Sequence, residues 1–203
     1  MDRKGLLVVI SAPSGTGKGT LLELIKDSND KVRLSVSVTT RKPRDNETDG
    51  NNYFFKTQRE FKEMIANNEL VEWVEYCDNY YGTPKKHVEE IIGQGFNVIL
   101  EIEVEGAMNI RKKYPDSVLI FILPPSFEVL EKRIRARGTE EPEIIKKRLE
   151  KATKEIEYVS LYDYVIINDK ISDAVDDINS IIRAELLKYE RNKDILNKIG
   201  GCI

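Results

Sequence analysis

The chain holds a single histidine, His87, and two cysteines, Cys77 and Cys202, far apart and without a further Cys or His at metal-ligand spacing. Neither a zinc site nor a disulfide framework is suggested, and this cysteine usage fits a reducing compartment. His87 lies beside Lys85 and Lys86 in a helical pattern, away from the glycine- and arginine-rich segments, so it reads as a surface residue rather than a base. No apolar run approaches the roughly 20 residues that span a bilayer, and residues 1–10 are too short and too strand-like for a secretory signal. The ending Gly201-Cys202-Ile203 lacks the fourth-from-last cysteine that prenylation requires. A cytoplasmic protein without a membrane partner is expected. Basic excess is missing too: 35 acidic residues outnumber 32 basic ones for a net charge of −3, which argues against a nucleic-acid partner. Any anion site must be local. Nothing in the sequence fixes the oligomeric state.

What is present is enough for one core-forming domain with a small lobe attached: 203 residues, 40% hydrophobic and 33% charged. Short aliphatic runs at 6–10, 98–102, 118–123 and 164–167 read as buried parallel strands. Helical stretches at 17–26, 104–113, 127–137 and 143–157 fall between them, an alternation that implies an α/β fold with a mostly parallel sheet flanked by helices. Thr57 with Glu60 forms a capping box, Thr83 before Pro84 reads as a helix N-cap, and Gly95 as that helix's stop. Residues 34–81 break the alternation with short β-like pieces around one helix, and read as a lobe of mixed structure inserted into a core of residues 1–33 and 82–203. Residues 137–148, between two arginine-rich helices, read as a lid. A final amphipathic helix is expected over 171–199.

The first strand runs into Ala12-Pro13-Ser14-Gly15-Thr16-Gly17-Lys18-Gly19-Thr20, and then into leucines at helical spacing. Strand, glycine-rich loop and helix is the context of a P-loop: glycines turn backbone N–H groups inward, the helix start adds partial positive charge, and Lys18 adds a full one. ATP phosphates suit such a cradle. Two positions depart from the strict pattern. Ala12 replaces the first glycine, and Gly19 replaces the hydroxyl residue that meets magnesium, leaving Thr20 to supply that hydroxyl.

The inserted segment carries Ser35-Val36-Ser37-Val38-Thr39-Thr40-Arg41-Lys42-Pro43-Arg44, then Glu47, Gly50 and Tyr53, then Val71-Glu72-Trp73 and Asn79-Tyr80-Tyr81-Gly82-Thr83. In this order after the P-loop, and continued by Leu100 to Gly106, Arg133 to Thr139, Arg148 and Ile167-Asn168-Asp169, the set closely resembles the guanylate kinase family over nearly the whole chain. The resemblance implies a P-loop NTPase core with a GMP-binding lobe, and transfer of the γ-phosphoryl group of ATP to GMP, or dGMP, with magnesium. It makes Arg41, Arg44, Tyr53 and Tyr81 holders of the GMP phosphate, adds Glu47 to that site, and sets Ser37, Glu72 and Thr83 around the guanine base. The chemistry agrees. Paired guanidiniums fork onto phosphate oxygens, and a carboxylate matches the adjacent N1–H and amine donors that guanine has and adenine lacks. On spacing alone, Arg41-x-x-Arg44 is more often a solvated turn, and Glu72 equally an exposed carboxylate beside a core Trp73.

The resemblance also puts Glu101 and Glu103 near the nucleotide, with Glu101 reaching magnesium through water, and Asn168 near adenine. Arg133, Arg137 and Arg148 would close over the phosphates, and Lys18, Arg41, Arg137 and Arg148 would carry catalysis. Arginines supplied in this way accelerate phosphoryl transfer by about 10³ to 10⁵. The alternative for Arg133, Arg135 and Arg137 is pairing with Glu128 and Glu131 on a wet helix. Two rival functions remain: a guanylate-kinase-like module that binds partners without catalysis, and another nucleoside monophosphate kinase.

Overall fold

Each aliphatic run becomes a strand, buried on both faces in the first three and on one face only in the last, where the side chains of Val165 and Ile167 are exposed. The computed structural model describes residues 4–136 and 142–193. In chain order it builds β1 (Leu7–Ser11), α1 (Lys18–Ser28), β2 (Val32–Leu34), β3 (Ser37–Thr39), β4 (Tyr53–Phe55), α2 (Gln58–Ala66), β5 (Leu70–Tyr76) and β6 (Asn79–Pro84). There follow α3 (Lys85–Gly93), β7 (Asn97–Glu101), α4 (Val104–Lys113), β8 (Val118–Leu123), α5 (Phe127–Arg135), α6 (Pro142–Ile156), β9 (Tyr164–Ile167) and α7 (Ile171–Leu187).

Five strands form a wholly parallel sheet in the order β2-β7-β1-β8-β9. Side chains alternate along it with period two. Val8, Ile10 and Ile120 pack with Leu21, Ile25 and Ile178 of α1 and α7, whereas Val9, Leu100 and Phe121 pack with Val88, Ala107 and Ile110 of α3 and α4. All five residues of β1 are buried, so the loop that leaves its C-terminal end stands on a rigid base. A second sheet, β4-β3-β6-β5, is mixed: β3 runs parallel to β4 and antiparallel to β6, and encloses a small core of Val38, Phe61 and Leu70. Leu34 pairs with Ile99 and so lies in the parallel sheet, while Thr83 and Pro84 complete β6 of the mixed one.

Local signals held where their partners are local. Thr57 and Glu60 form the reciprocal capping box of α2, and Gly95 ends α3 through the paired bonds Gly95 N–H to Ile92 and Phe96 N–H to Ile91. Thr83 is a correction: it is no N-cap, because its hydroxyl donates to Glu72 and its backbone lies in β6, leaving Pro84 at the cap position without a side-chain bond. The last helix ends at Leu187, short of residue 199, where Lys188 turns to extended backbone and Arg191 folds back onto the Asp116 carbonyl and Glu185. His87 is half-buried rather than on the surface, its ring edge-on to Phe54. No helix among the described residues is long and apolar enough to cross a membrane.

Candidate active site

The loop after β1 is held by bonds to its own backbone and to neighbouring elements. Thr16 is buried and gives both its N–H and its hydroxyl to the Pro13 carbonyl, while Ser11 donates to Ile102. Gly15 (φ 95°) passes so close to α5 that a Cβ there would lie 2.7 Å from Cγ1 of Ile134. Gly17 (φ 85°) starts α1 in the left-handed region, with no side-chain cap and no acidic residue in the first turn. The helix start therefore keeps its partial positive charge for an anion. Lys18 Nζ lies 3.5 Å from Oε1 of Glu101, the exposed last residue of β7.

A second cluster forms on the mixed sheet. Arg41 donates to Glu47 at 2.8 Å, and its guanidinium stands 5.4 Å from the ring centroid of Tyr53, which meets Tyr81 edge-on. The other oxygen of Glu47 accepts from the Arg44 backbone at 2.9 Å, so one carboxylate braces the whole turn, and the hydrogen bond to Arg41 holds it ionised below the usual range. Arg44 itself is exposed. The Tyr53 phenol is pushed up by burial and then by the nearby charge of Glu101. Glu101 thus pairs with Lys18 and is near enough for its charge to act on the Tyr53 phenol, at a strand end of the kind where parallel sheets bind their ligands.

Glu72 lies beside this cleft, 3% exposed, and accepts the Thr83 hydroxyl at 2.7 Å. A bulge between Leu70 and Glu72 shifts the register of β5 against β6, so Val71 and Glu72 are both buried while Trp73 is 39% exposed. This overturns Trp73 as a core residue and Glu72 as a solvated one; re-aiming a side chain is what a bulge does. Burial raises Glu72 to about 7, against the Thr83 bond and the charge of Lys113, which pull it down. Room for its second oxygen comes from Gly106 on α4, where a Cβ would sit 2.9 Å from Oε2. Ser37 opens β3, half-buried, opposite Tyr53.

Residues 4–185 match the profile of the family described as guanylate kinase. The guanylate kinase of Caldanaerobacter subterraneus subsp. tengcongensis is 49% identical over 199 residues, covering 98% of this chain and 97% of its own. That of Bacillus subtilis is 50% identical over 192 residues, covering 94% of each. The chain belongs to the guanylate kinase family. A solved guanylate kinase from Anaplasma phagocytophilum superposes with a TM-score of 0.75 at 35% identity, covering 93% of this chain and 90% of that one.

Within this family fold the chain departs from the strict P-loop pattern at Ala12 and Gly19, and its packing accommodates both. Ala12 rests its methyl against the apolar cluster of β1 and α1, and Gly19 is exposed with open space where a side chain would stand. Of the arginines, Arg133 donates to the carbonyls of Asn168 (3.0 Å) and Thr16 (3.4 Å), and Arg148 to Ser14 at 2.5 Å, whereas Arg135 takes the helix-surface role with Glu131. Arg137 lies outside the described residues. Asn168 is buried and gives its amide to the Thr16 carbonyl at 2.7 Å, so it anchors the loop. Glu103 precedes α4 and binds Lys151 at 2.8 Å. The sequence did not single out Gly106, Lys113 or Lys151. For Gly106 a signal existed: a glycine within a helix costs about 1 kcal/mol against alanine, which asks for a packing reason.

Proposed function

We propose that the protein moves the γ-phosphoryl group of ATP onto GMP, giving ADP and GDP, across the cleft between Lys18 and Arg41. The observation that carries this is Glu101, which pairs with Lys18 at 3.5 Å and whose charge reaches the Tyr53 phenol, and this supports two anion-binding clusters on one cleft. Loop residues 12–20 cradle the ATP phosphates, with Arg133, Arg148 and, by resemblance, Arg137 closing over them and Asn168 near the adenine. Arg41, Arg44, Tyr53 and Tyr81 take the GMP phosphate, and Glu47 acts through the two arginines it braces. Glu72 accepts from guanine N1–H and the exocyclic amine, with Thr83 and Ser37 around the base. Glu103, held by Lys151, faces the nucleotides from the edge of the cleft.

The acceptor phosphate is ionised already, so positioning and charge stabilisation supply the catalysis, and no general base is needed. The residues fit magnesium: the Thr20 hydroxyl and the Glu101 carboxylate are hard oxygen donors at the loop, with Glu101 acting through water. Among the described residues no cluster of three acidic, His or Cys side chains would hold the ion without a nucleotide. When bound with ATP, the ion neutralises phosphate charge. The four-stranded lobe and the segment near 137–148 close over both substrates and exclude water. Such a protein works in the cytoplasm.

With ATP, magnesium and GMP, chromatography should detect ADP and GDP in equal amounts, with AMP, CMP and UMP as poor acceptors. AMP turned over as fast as GMP rejects the guanine site, and no turnover of any acceptor favours a non-catalytic binding module. Lys18→Ala should lower kcat by about two orders of magnitude, the scale of one preorganised electrostatic contact; a near-normal rate removes Lys18 from the chemistry.

A further inference from the structure

Lys151 stands on α6 three residues after Arg148, and its ammonium group meets three partners. Nζ lies 2.8 Å from Oε2 of Glu103, 3.5 Å from Oε1 of Glu155, and 4.6 Å from the ring centroid of Tyr76. The Glu155 contact is an i,i+4 pair within one helix and by itself contributes little. The other two cross the fold. Glu103 caps α4 beyond the end of β7, in the parallel sheet's layer, and Tyr76 ends β5 in the mixed sheet. Tyr76 is 51% exposed, so apolar burial does not hold its ring. It stands just before the tight turn of Cys77 and Asp78, with φ of 49° and 60°, and Lys151 lies over the face of its ring. The same helix reaches the phosphate loop through Arg148 and Ser14. One lysine therefore joins the lobe, the strand end and the helix that carries a phosphate-facing arginine.

We propose that Lys151 is a positioning residue for phosphoryl transfer: it pins α6 to Glu103 and to the tip of the β5–β6 hairpin, so that the lobe and the arginine-bearing helix move as one. Its charge also offsets part of that of Glu103, which sits two residues from Glu101 at the same strand end. Loss of the pin acts first on the lobe, and so on GMP rather than on ATP. This inference rests on the phosphotransfer reading above.

The test is steady-state kinetics on the full chain for the wild type, Lys151→Met, Lys151→Arg, Tyr76→Ala, Tyr76→Phe and the Lys151→Met/Tyr76→Ala double variant. Lys151→Met should raise KM for GMP about tenfold, the scale of a cation–π contact combined with a charge-assisted hydrogen bond, and leave KM for ATP within about twofold. Lys151→Arg and Tyr76→Phe, which keep the cation and the ring, should stay near wild type. The double variant should be no worse than Lys151→Met alone, because both changes remove one contact. A general loss of helix stability would lower the melting temperature and move both KM values together, and that result overturns the proposal. So does a KM for GMP in Lys151→Met within twofold of wild type, or single effects that multiply in the double variant. If the wild type itself fails to phosphorylate GMP, the function falls and this inference with it; normal wild-type turnover with an unaffected Lys151→Met sinks the inference alone.

Discussion

Lowering the pH from about 8 to about 6 should weaken GMP binding about tenfold, beyond any effect on the nucleotide itself. In the proposed site Glu72 must be ionised to accept two hydrogen bonds from guanine, and in the free protein burial raises its pKa to about 7. The binding-competent fraction is then about nine in ten at the higher pH and about one in ten at the lower, and apparent affinity scales with that fraction. Stability runs the other way. A carboxyl whose pKa is raised from 4.5 unfolded to about 7 folded penalises the fold above pH 7, by roughly 3 kcal/mol at 1.36 kcal/mol per unit. That penalty fades as pH falls from 7 towards 4.5. Glu72→Gln removes the charge while keeping an acceptor for Thr83, so it should stabilise the protein at pH 8 by an amount on that scale. The same change should weaken GMP by about two orders of magnitude or more, since a mismatched buried polar site discriminates strongly.

Calorimetric titration of GMP at three pH values, with thermal denaturation alongside, reads both effects. The GMP phosphate loses its second proton near pH 6 and adds its own slope. Glu72→Gln carries only that slope, so the difference between the two proteins isolates Glu72. Equal loss of affinity in both, or no gain in stability at pH 8 for Glu72→Gln, refutes the buried-carboxylate account.

Two further substitutions probe neighbours. Gly106→Ala should leave the melting temperature nearly unchanged, because alanine favours the helix by about 1 kcal/mol and the obstructed atom is a side-chain tip, yet raise KM for GMP about tenfold by displacing the Glu72 carboxylate; an unchanged KM shows that the oxygen has room elsewhere. Asn168→Ala should raise KM for ATP several-fold and cost about 1–2 kcal/mol in denaturant unfolding, because the Thr16 carbonyl loses its 2.7 Å donor; a GMP-specific effect would contradict a loop-anchoring role.

What the sequence made legible was what neighbours along the chain decide. The aliphatic runs of β1, β7 and β8, the capping box at Thr57 and the Gly95 stop depend on residues within one element and appear as read, while β9 is a parallel strand as read but, at the sheet edge, leaves Val165 and Ile167 exposed. The P-loop is of this kind too, since strand, glycines and helix follow one another directly. Thr83 failed because its partner lies in another strand, 11 residues away along the chain: a hydroxyl that would cap α3 is captured instead by Glu72 across the β5–β6 ladder. Lys151 was illegible for the same reason, its partners being drawn from 48 and 75 residues away in the chain.

The alternative for β5, an exposed Glu72 beside a core Trp73, failed differently. The rule that aromatic residues go in and carboxylates go out is sound energetically, and β5 inverts it through one bulged residue. Nothing in the free protein offsets that inversion fully: Glu72 has one strong hydrogen bond where an ionised carboxylate can accept several, and its raised pKa records the deficit. A fold that keeps such an arrangement does so against its own stability. The missing bonds are of the kind that two adjacent N–H donors would complete. The position at which the sequence rule broke is therefore the one the proposed guanine site uses, and the stabilisation expected of Glu72→Gln measures that conflict directly.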